Sequence, residues 1–230
     1  MAKLINTIQD YYDQIASIYD TTRFSTSYGK YIHFLEKRLF LKWSKKYKFE
    51  CDAFLDIGAG TGRWTCYSKA GVDVSFQMLK QAKQKNKSLY VTADGAMLPF
   101  NDNSFSGIIC MHTLMHNEKK QIEKILNESK RVLKSGGWLL IDFPILKRKK
   151  LFSKSGRGWH AQTALNREFF SLNNGMNSIK LIDIAGYLLF PIHRVPKIFR
   201  PLFLPFEILF SKWPFREIAS YNMALFRIQK

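Results

Sequence analysis

Apolar residues Ile8, Tyr11, Tyr12, Ile15 and Ile18 recur at helical spacing in "IQDYYDQIASIYD", and a second helical stretch, "YGKYIHFLEKRLFLKWSKKY", follows at 28–47. The period then changes. "DAFLDIGA" (52–59) is a short apolar run closed by glycine, as expected of a parallel strand buried on both faces. "VSFQMLKQAKQK" (74–85) predicts a helix with Met78, Leu79 and Ala82 inward, and "SLYVTAD" (88–94) and "FSGIICMH" (105–112) predict strands. "EKKQIEKILNESKRVLKSGG" (118–137) predicts an amphipathic helix with Ile122, Ile125, Leu126, Val132 and Leu133 on one face, stopped by Gly136 and Gly137. "WLLIDFP" (138–144) is the next strand, and Pro144 ends it. "LNREFFSLNNG" (165–175) reads as a helix, "SIKLIDIAGYLLF" (178–190) as a strand and "SYNMALFRI" (220–228) as a closing strand. Alternating strands and helices with short joints predict a mostly parallel sheet covered on both faces.

Composition narrows the class. A chain of 230 residues, 46% apolar and 15% aromatic, can bury one substantial core, and a single α/β domain is expected. Cys51, Cys66 and Cys110 are odd in number, far apart and form no CxxC pair. That argues against a disulfide framework or a zinc site and for a reducing compartment. The opening "MAKLINTIQDYYDQ" carries acids and amides where a secretion signal needs an apolar run, and no stretch is as apolar as a spanning helix. A cytoplasmic location is expected. The charge balance is lopsided, with 36 basic against 18 acidic residues and a net +18. A lysine-rich solvated surface accounts for this, and so does an anionic partner: nucleic acid, lipid headgroups or a phosphorylated substrate.

The candidate chemistry begins at "FLDIGAGTGRWTCYSKAGVDVS" (54–75). Its glycines, Gly58, Gly60 and Gly62, follow the spacing G-x-G-x-G, whereas a dinucleotide fingerprint needs a third small residue where Arg63 stands. A phosphate-binding P-loop is excluded too, because no Gly-Lys-Ser/Thr follows. What is left is a loop whose backbone approaches a ligand closely at the end of a buried strand.

Several motifs in order resemble the class I S-adenosylmethionine-dependent methyltransferases, and most closely the branch of the ubiquinone/menaquinone-biosynthesis C-methyltransferases. "FLDIGAGTGRW" is similar to that family's first motif, and "ADGAMLPFNDNSFSGIIC" to the segment that holds adenine and leads into the fourth strand. "HTLMHNEKKQIEKILNESKRVLKSGGWLLIDFP" resembles the helix, turn and fifth strand that follow, and "YYDQIASIYD" the helix that caps the cofactor. The likeness runs from about Tyr11 to Pro144. It implies a Rossmann-like, doubly wound sheet of seven strands, mostly parallel with an antiparallel last strand, and an N-terminal helical cap. One domain over 1–230 is expected, with the cap at 1–50, the cofactor core at 51–144 and substrate-side segments at 145–230.

The resemblance implies S-adenosylmethionine contacts from Asp56, Gly58, Ala59, Gly60, Thr61 and Gly62, and from Asp73, Val74, Asp94, Gly95, Ala96 and Met111. Asp73 takes the ribose hydroxyls in this reading, and Asp94 the adenine amino group. One departure stands out: only Arg63 to Val72 separate Gly62 from Asp73, where the family has a full helix and a strand. A parallel crossover needs about a dozen residues, so a two-turn helix and a clipped strand are predicted.

Methyl transfer from a sulfonium is a displacement in which the protein aligns the acceptor and, where needed, removes its proton. His112, at the end of the fourth strand, is the candidate general base, with pocket shaping as its other role; His116 reads as structural. No metal site is expected. The segments 145–160 and 191–215 interleave bases with aromatics and leucines, and Pro191, Pro196, Pro201, Pro205 and Pro214 break the second into short pieces. Such a rim suits a small or amphiphilic acceptor, lipid-like ones included, methylated at oxygen or carbon, and peripheral contact with a membrane; a solvated, partly buried extension of the core accounts for it equally. The alternatives are a tRNA or rRNA methyltransferase and a non-catalytic, cofactor-binding partner subunit.

Overall fold

The computed structural model describes residues 2–49, 53–152, 163–172, 179–212 and 214–230. Seven strands form one sheet: β1 (Phe54–Ile57), β2 (Ala70–Asp73), β3 (Leu89–Thr92), β4 (Phe105–Cys110), β5 (Leu133–Pro144), β6 (Ile179–Tyr187) and β7 (Tyr221–Ile228). Their order is β3-β2-β1-β4-β5-β7-β6, parallel except for β7, which runs antiparallel to both β5 and β6. The order reverses between β1 and β4. That places a crevice at the carboxyl ends of these two strands, the usual ligand position in an open α/β sheet.

The two faces are covered differently. Leu55 and Ile57 of β1 pack with Ile108 of β4 and with Ile122, Ile125 and Leu126 of a helix, α5, over Lys119–Val132. Phe54 of β1 turns the other way, toward Ile109 and Leu140 and a long helix, α3 (Ser27–Tyr47). Its buried stripe includes Leu35, Leu39, Phe40 and Trp43. Thr26 caps α3 by accepting from the Gly29 amide at 3.0 Å, and the helix ends at Lys48, whose φ of 52° is left-handed. Two further helices, α1 (Ala2–Ile15) and α2 (Tyr19–Thr22), precede α3, and α4 (Phe76–Lys85) joins β2 to β3.

Two local expectations are corrected. Between Gly62 and Asp73 there is no two-turn helix, only the single 3-10 turn Thr65–Tyr67 before β2. The sheet surface that such a helix would cover is filled by α3: the Phe40 ring lies 5.5 Å from Trp64 and 4.8 Å from Tyr67. Likewise α5 stops at Val132, ahead of Gly136 and Gly137, because Leu133 already pairs with Phe105 in the sheet. The glycines lie inside β5, at a register shift between Phe105 and Gly107, with Gly136 at a φ of +70°.

After β5 come α6 (Leu146–Phe152) and the short α7 (Phe169–Leu172). The rest of the segment expected at 145–160, the end of the 165–175 helix and Trp213 lie outside the described residues. Residues 192–209 form short 3-10 pieces and one helix, α8 (Leu204–Leu209), consistent with the proline spacing. Among the described residues no helix is long and apolar enough to cross a membrane.

Candidate functional site

The loop after β1 needs its glycines for two separate reasons. Gly58 has a φ of +73°, and a Cβ there would lie 2.0 Å from Thr113 Oγ1, so any side chain would collide with the loop after β4. At Gly60, with a φ of +53°, the constraint is backbone conformation, since a Cβ would meet only Met78 Cε at 3.6 Å. The loop is pinned from β2: Asp73 Oδ2 accepts from the Gly60 amide at 2.8 Å, and Asp73 Oδ1 from the Ser75 amide at 2.9 Å. Burial raises the Asp73 carboxyl, and these amides oppose the rise. The early acid therefore stands beside the glycine loop in spite of the shortened crossover.

A cavity opens above β1 and β4. Its wall includes Gly58, Ala59, Gly60, Thr61, Asp73, Val74, Asp94, Gly95, Met111 and His112. Gly62, Asp56 and Ala96 are outside that wall. A Cβ on Gly62 would meet Thr65, Tyr90 and Ala82 within about 3 Å, so this glycine serves packing. Asp56 is buried beneath the loop, its Oδ2 has no hydrogen-bond partner among the described residues, and burial pushes its carboxyl up to about 8. The Ala96 amide donates to Asp94 Oδ1 at 2.9 Å, closing the turn after β3, while Gln121 Nε2 donates to both Asp94 oxygens at 3.2 and 3.0 Å.

The N-terminal segment roofs this cavity with Ile8, Tyr12, Tyr19 and Phe24. Two aspartates fasten it. Asp20 Oδ1 accepts from Thr61 Oγ1 at 2.6 Å, and its other oxygen is paired with Lys85. Asp13 Oδ1 accepts from Ser75 Oγ at 2.6 Å and from the Gln77 amide at 3.1 Å, adding to the N-terminal cap of α4. Asp13→Ala should loosen the roof and raise the Kd of any ligand beneath it about fivefold, with a faster off-rate in stopped-flow measurements.

At the other end of the cavity lies a network that sequence reading missed. Glu36, fully buried on α3, pairs through Oε2 with Arg63 and through Oε1 with His112 Nε2 at 2.5 Å. His112 Nδ1 faces Asp142 Oδ2 at 3.4 Å, and the same oxygen accepts from Tyr187 OH at 2.7 Å. Burial alone would raise the Glu36 carboxyl, but Arg63 and His112 outweigh it and hold it down at about 2. Burial would lower the His112 imidazole; Asp142 and Glu36 hold it above its ordinary value. The ring thus lies between two carboxyl groups, and burial raises that of Asp142 while His112 opposes the rise. Its backbone is strained as well, with a φ of 57°, and its amide is held by Asp142 Oδ1 at 2.6 Å.

Glu36, His112 and Asp142 gather three groups of metal-ligand type within 4.8 Å. However, the ring presents a different nitrogen to each carboxylate, and Glu36 is shared with Arg63. The cluster is a closed hydrogen-bonded chain, not an open coordination sphere. One signal for it was visible in sequence: Glu36 adjoins Leu35 on the stripe of α3 that is otherwise apolar, and Asp142 interrupts the apolar run of β5.

Comparison with known proteins agrees with this geometry. Residues 55–141 match the family model described as "Methyltransferase domain". Over 158 residues the chain is 32% identical to the ubiquinone/menaquinone biosynthesis C-methyltransferase UbiE of Idiomarina loihiensis, covering 59% of this chain and 58% of that one. The chain spans about half the length of the curated relatives it matches. Two solved structures share its fold over nearly all of both chains. An S-adenosylmethionine-dependent methyltransferase of Thermotoga maritima, described as a possible histamine N-methyltransferase, matches with a TM-score of 0.66 at 15% identity, covering 96% of this chain and 99% of that one. The magnesium protoporphyrin IX methyltransferase of Synechocystis, solved with S-adenosylhomocysteine bound, matches with a TM-score of 0.65 at 13% identity, covering 97% and 99%.

Proposed function

We propose that this chain, in which residues 55–141 match a methyltransferase domain and the motifs resemble the class I enzymes, is an S-adenosylmethionine-dependent methyltransferase acting on a small or amphiphilic acceptor at oxygen or carbon. The observation that carries the reading is the cavity at the switch point of the sheet. Asp73, Asp94 and the open backbone of Gly58 and Gly60 all face it, beneath a roof of aromatic side chains. These groups fit S-adenosylmethionine: Asp73 suits a pair of ribose hydroxyls, Asp94 an exocyclic amine, and the glycine backbone a close-lying methionine end. When bound, the cofactor supplies a methyl group on a positively charged sulfur.

The chain's own part is alignment. Met111, His112 and Phe24 line the end of the cavity away from Asp94, and apolar and aromatic walls there favour an acceptor with an apolar body. Both ring nitrogens of His112 face carboxylates, so its proposed role is to fix the shape and charge of the acceptor end. Acting as a base would require it to give up Glu36. The sparse cysteines, of which Cys66 and Cys110 are free, fit a reducing, cytoplasmic setting.

A second reading, a cofactor-binding subunit without turnover, is favoured by that same engaged histidine. One experiment separates the two. Isothermal titration should give S-adenosylmethionine binding, and incubating cell extract with methyl-labelled cofactor and the protein should label a lipid or small-molecule fraction. No cofactor binding sinks both readings; binding with no labelled product leaves the subunit. Label in the RNA fraction would establish an RNA methyltransferase instead.

A further inference from the structure

The geometry points to a membrane-docking face on this protein: the strip 197–209, flanked by the bases of α6, seats on an anionic lipid surface. Ile198, Phe199, Leu202, Phe206 and Leu209 are each more than half exposed, Ile198 at 78% and Leu209 at 70%. Five large apolar side chains exposed within twelve residues form the kind of patch that soluble surfaces avoid. The strip is also held firmly in this orientation. Its inner side is anchored by buried Glu207, which accepts from the Leu189 and Phe190 amides at 2.9 and 3.1 Å. Arg200 adds bonds to Val195 O at 2.9 Å and Ser27 Oγ at 2.6 Å.

Charge selects the occupant. Between residues 191 and 217 the sequence carries Arg194, Lys197, Arg200, Lys212 and Arg216. Of its two acids, Glu207 is buried and Glu217 pairs with Arg216 at 3.2 Å. Lys212 pairs with Asp183 at 3.2 Å, so the outward charge of the strip itself rests on exposed Arg194 and Lys197. Beside the strip, α6 exposes Lys147, Lys149, Lys150 and Leu151, and its Arg148 is tied to Leu189 O and Ile218 O at 2.9 and 2.5 Å. Exposed apolar side chains flanked by exposed bases match the boundary between acyl chains and anionic headgroups. Pairing with a second copy would bring like charges together on a chain of net +18.

The strip also lies near the acceptor end of the cavity. Arg200 holds Ser27 at the start of α3, just past Phe24, whose ring is 6.5 Å from that of His112. Docking therefore brings the acceptor end close to the bilayer, where an amphiphilic acceptor resides. This last step rests on the methyltransferase reading; the docking face does not.

The test is co-sedimentation with phosphatidylcholine vesicles, with and without about 30 mol% phosphatidylglycerol. The expected result is binding to the anionic vesicles only, weakened but not abolished between ~0.1 and ~0.5 M salt, because the apolar insertion is not screened. The variant I198D/L202D should lose at least about tenfold in vesicle affinity. Its melting temperature, oligomeric state and S-adenosylmethionine affinity should not change. Equal binding by variant and wild type, equal binding to neutral vesicles, or a wild-type dimer that the variant dissolves would each overturn the proposal. If the wild type binds no cofactor but the variant still loses vesicle binding, the methyltransferase reading falls and the docking face stands. Intact cofactor binding with unchanged vesicle binding means the reverse.

Discussion

Asp73→Ala is expected to raise the Kd for S-adenosylmethionine by about 100-fold, the loss of two hydrogen bonds to a charged acceptor. The carboxylate is doubly committed, to the Gly60 amide and to the Ser75 amide, while still facing the cavity. Removing it takes away the ribose acceptor and the pin on the glycine loop together. Asp73→Asn keeps one acceptor oxygen and should fall between, at about tenfold. Calorimetric titration of both variants, with melting curves as a control for folding, decides the matter. A folded Asp73→Ala protein that binds within about threefold of wild type would remove Asp73 from the cofactor site.

Much of this site was legible in sequence because its parts are local. Gly58, Gly60, Asp73 and Asp94 each end a strand or begin a turn, and strand ends can be read from short apolar runs. The shortened crossover was half legible. Counting residues showed that little room was left before Asp73, and the position of the acid beside the loop followed. What replaces the helix could not be counted. "RWTCYSK" at 63–69 shows no sign that Trp64 and Tyr67 would pack on Phe40, because that contact depends on the long-range placement of α3. The same holds for Glu36 and Arg63, which are 27 positions apart. Arg63 excluded a dinucleotide fingerprint by its size; its partner, and hence its purpose, lay in the cap.

That partner sets the second large effect: Glu36→Gln should destabilise the protein by about 3–5 kcal/mol, the cost of leaving a buried cation without its counter-charge. The glutamine fits the space, but its amide would have to turn a donor toward Arg63 or His112, both of which are donors themselves. For a chain of 230 residues the loss corresponds to a fall in melting temperature of about 10 °C. Acid titration gives an independent readout. The Glu36 carboxyl is held down from 4.5 to about 2 in the folded protein, so its stabilisation is fully present above 4.5 and is lost as the pH falls toward 2. The Glu36→Gln protein should lack that part of the acid limb. His112 works in the opposite sense: held above 6.5, it stabilises the fold most at low pH and less as the pH rises through its folded value. Removing Glu36 leaves only Asp142 to hold it up, so the alkaline side of the stability profile should flatten too. The double variant E36L/R63M removes both charges and should recover more than half of the loss. If instead Glu36→Gln melts within about 1 °C of wild type, the pair is not what joins the cap to the glycine loop.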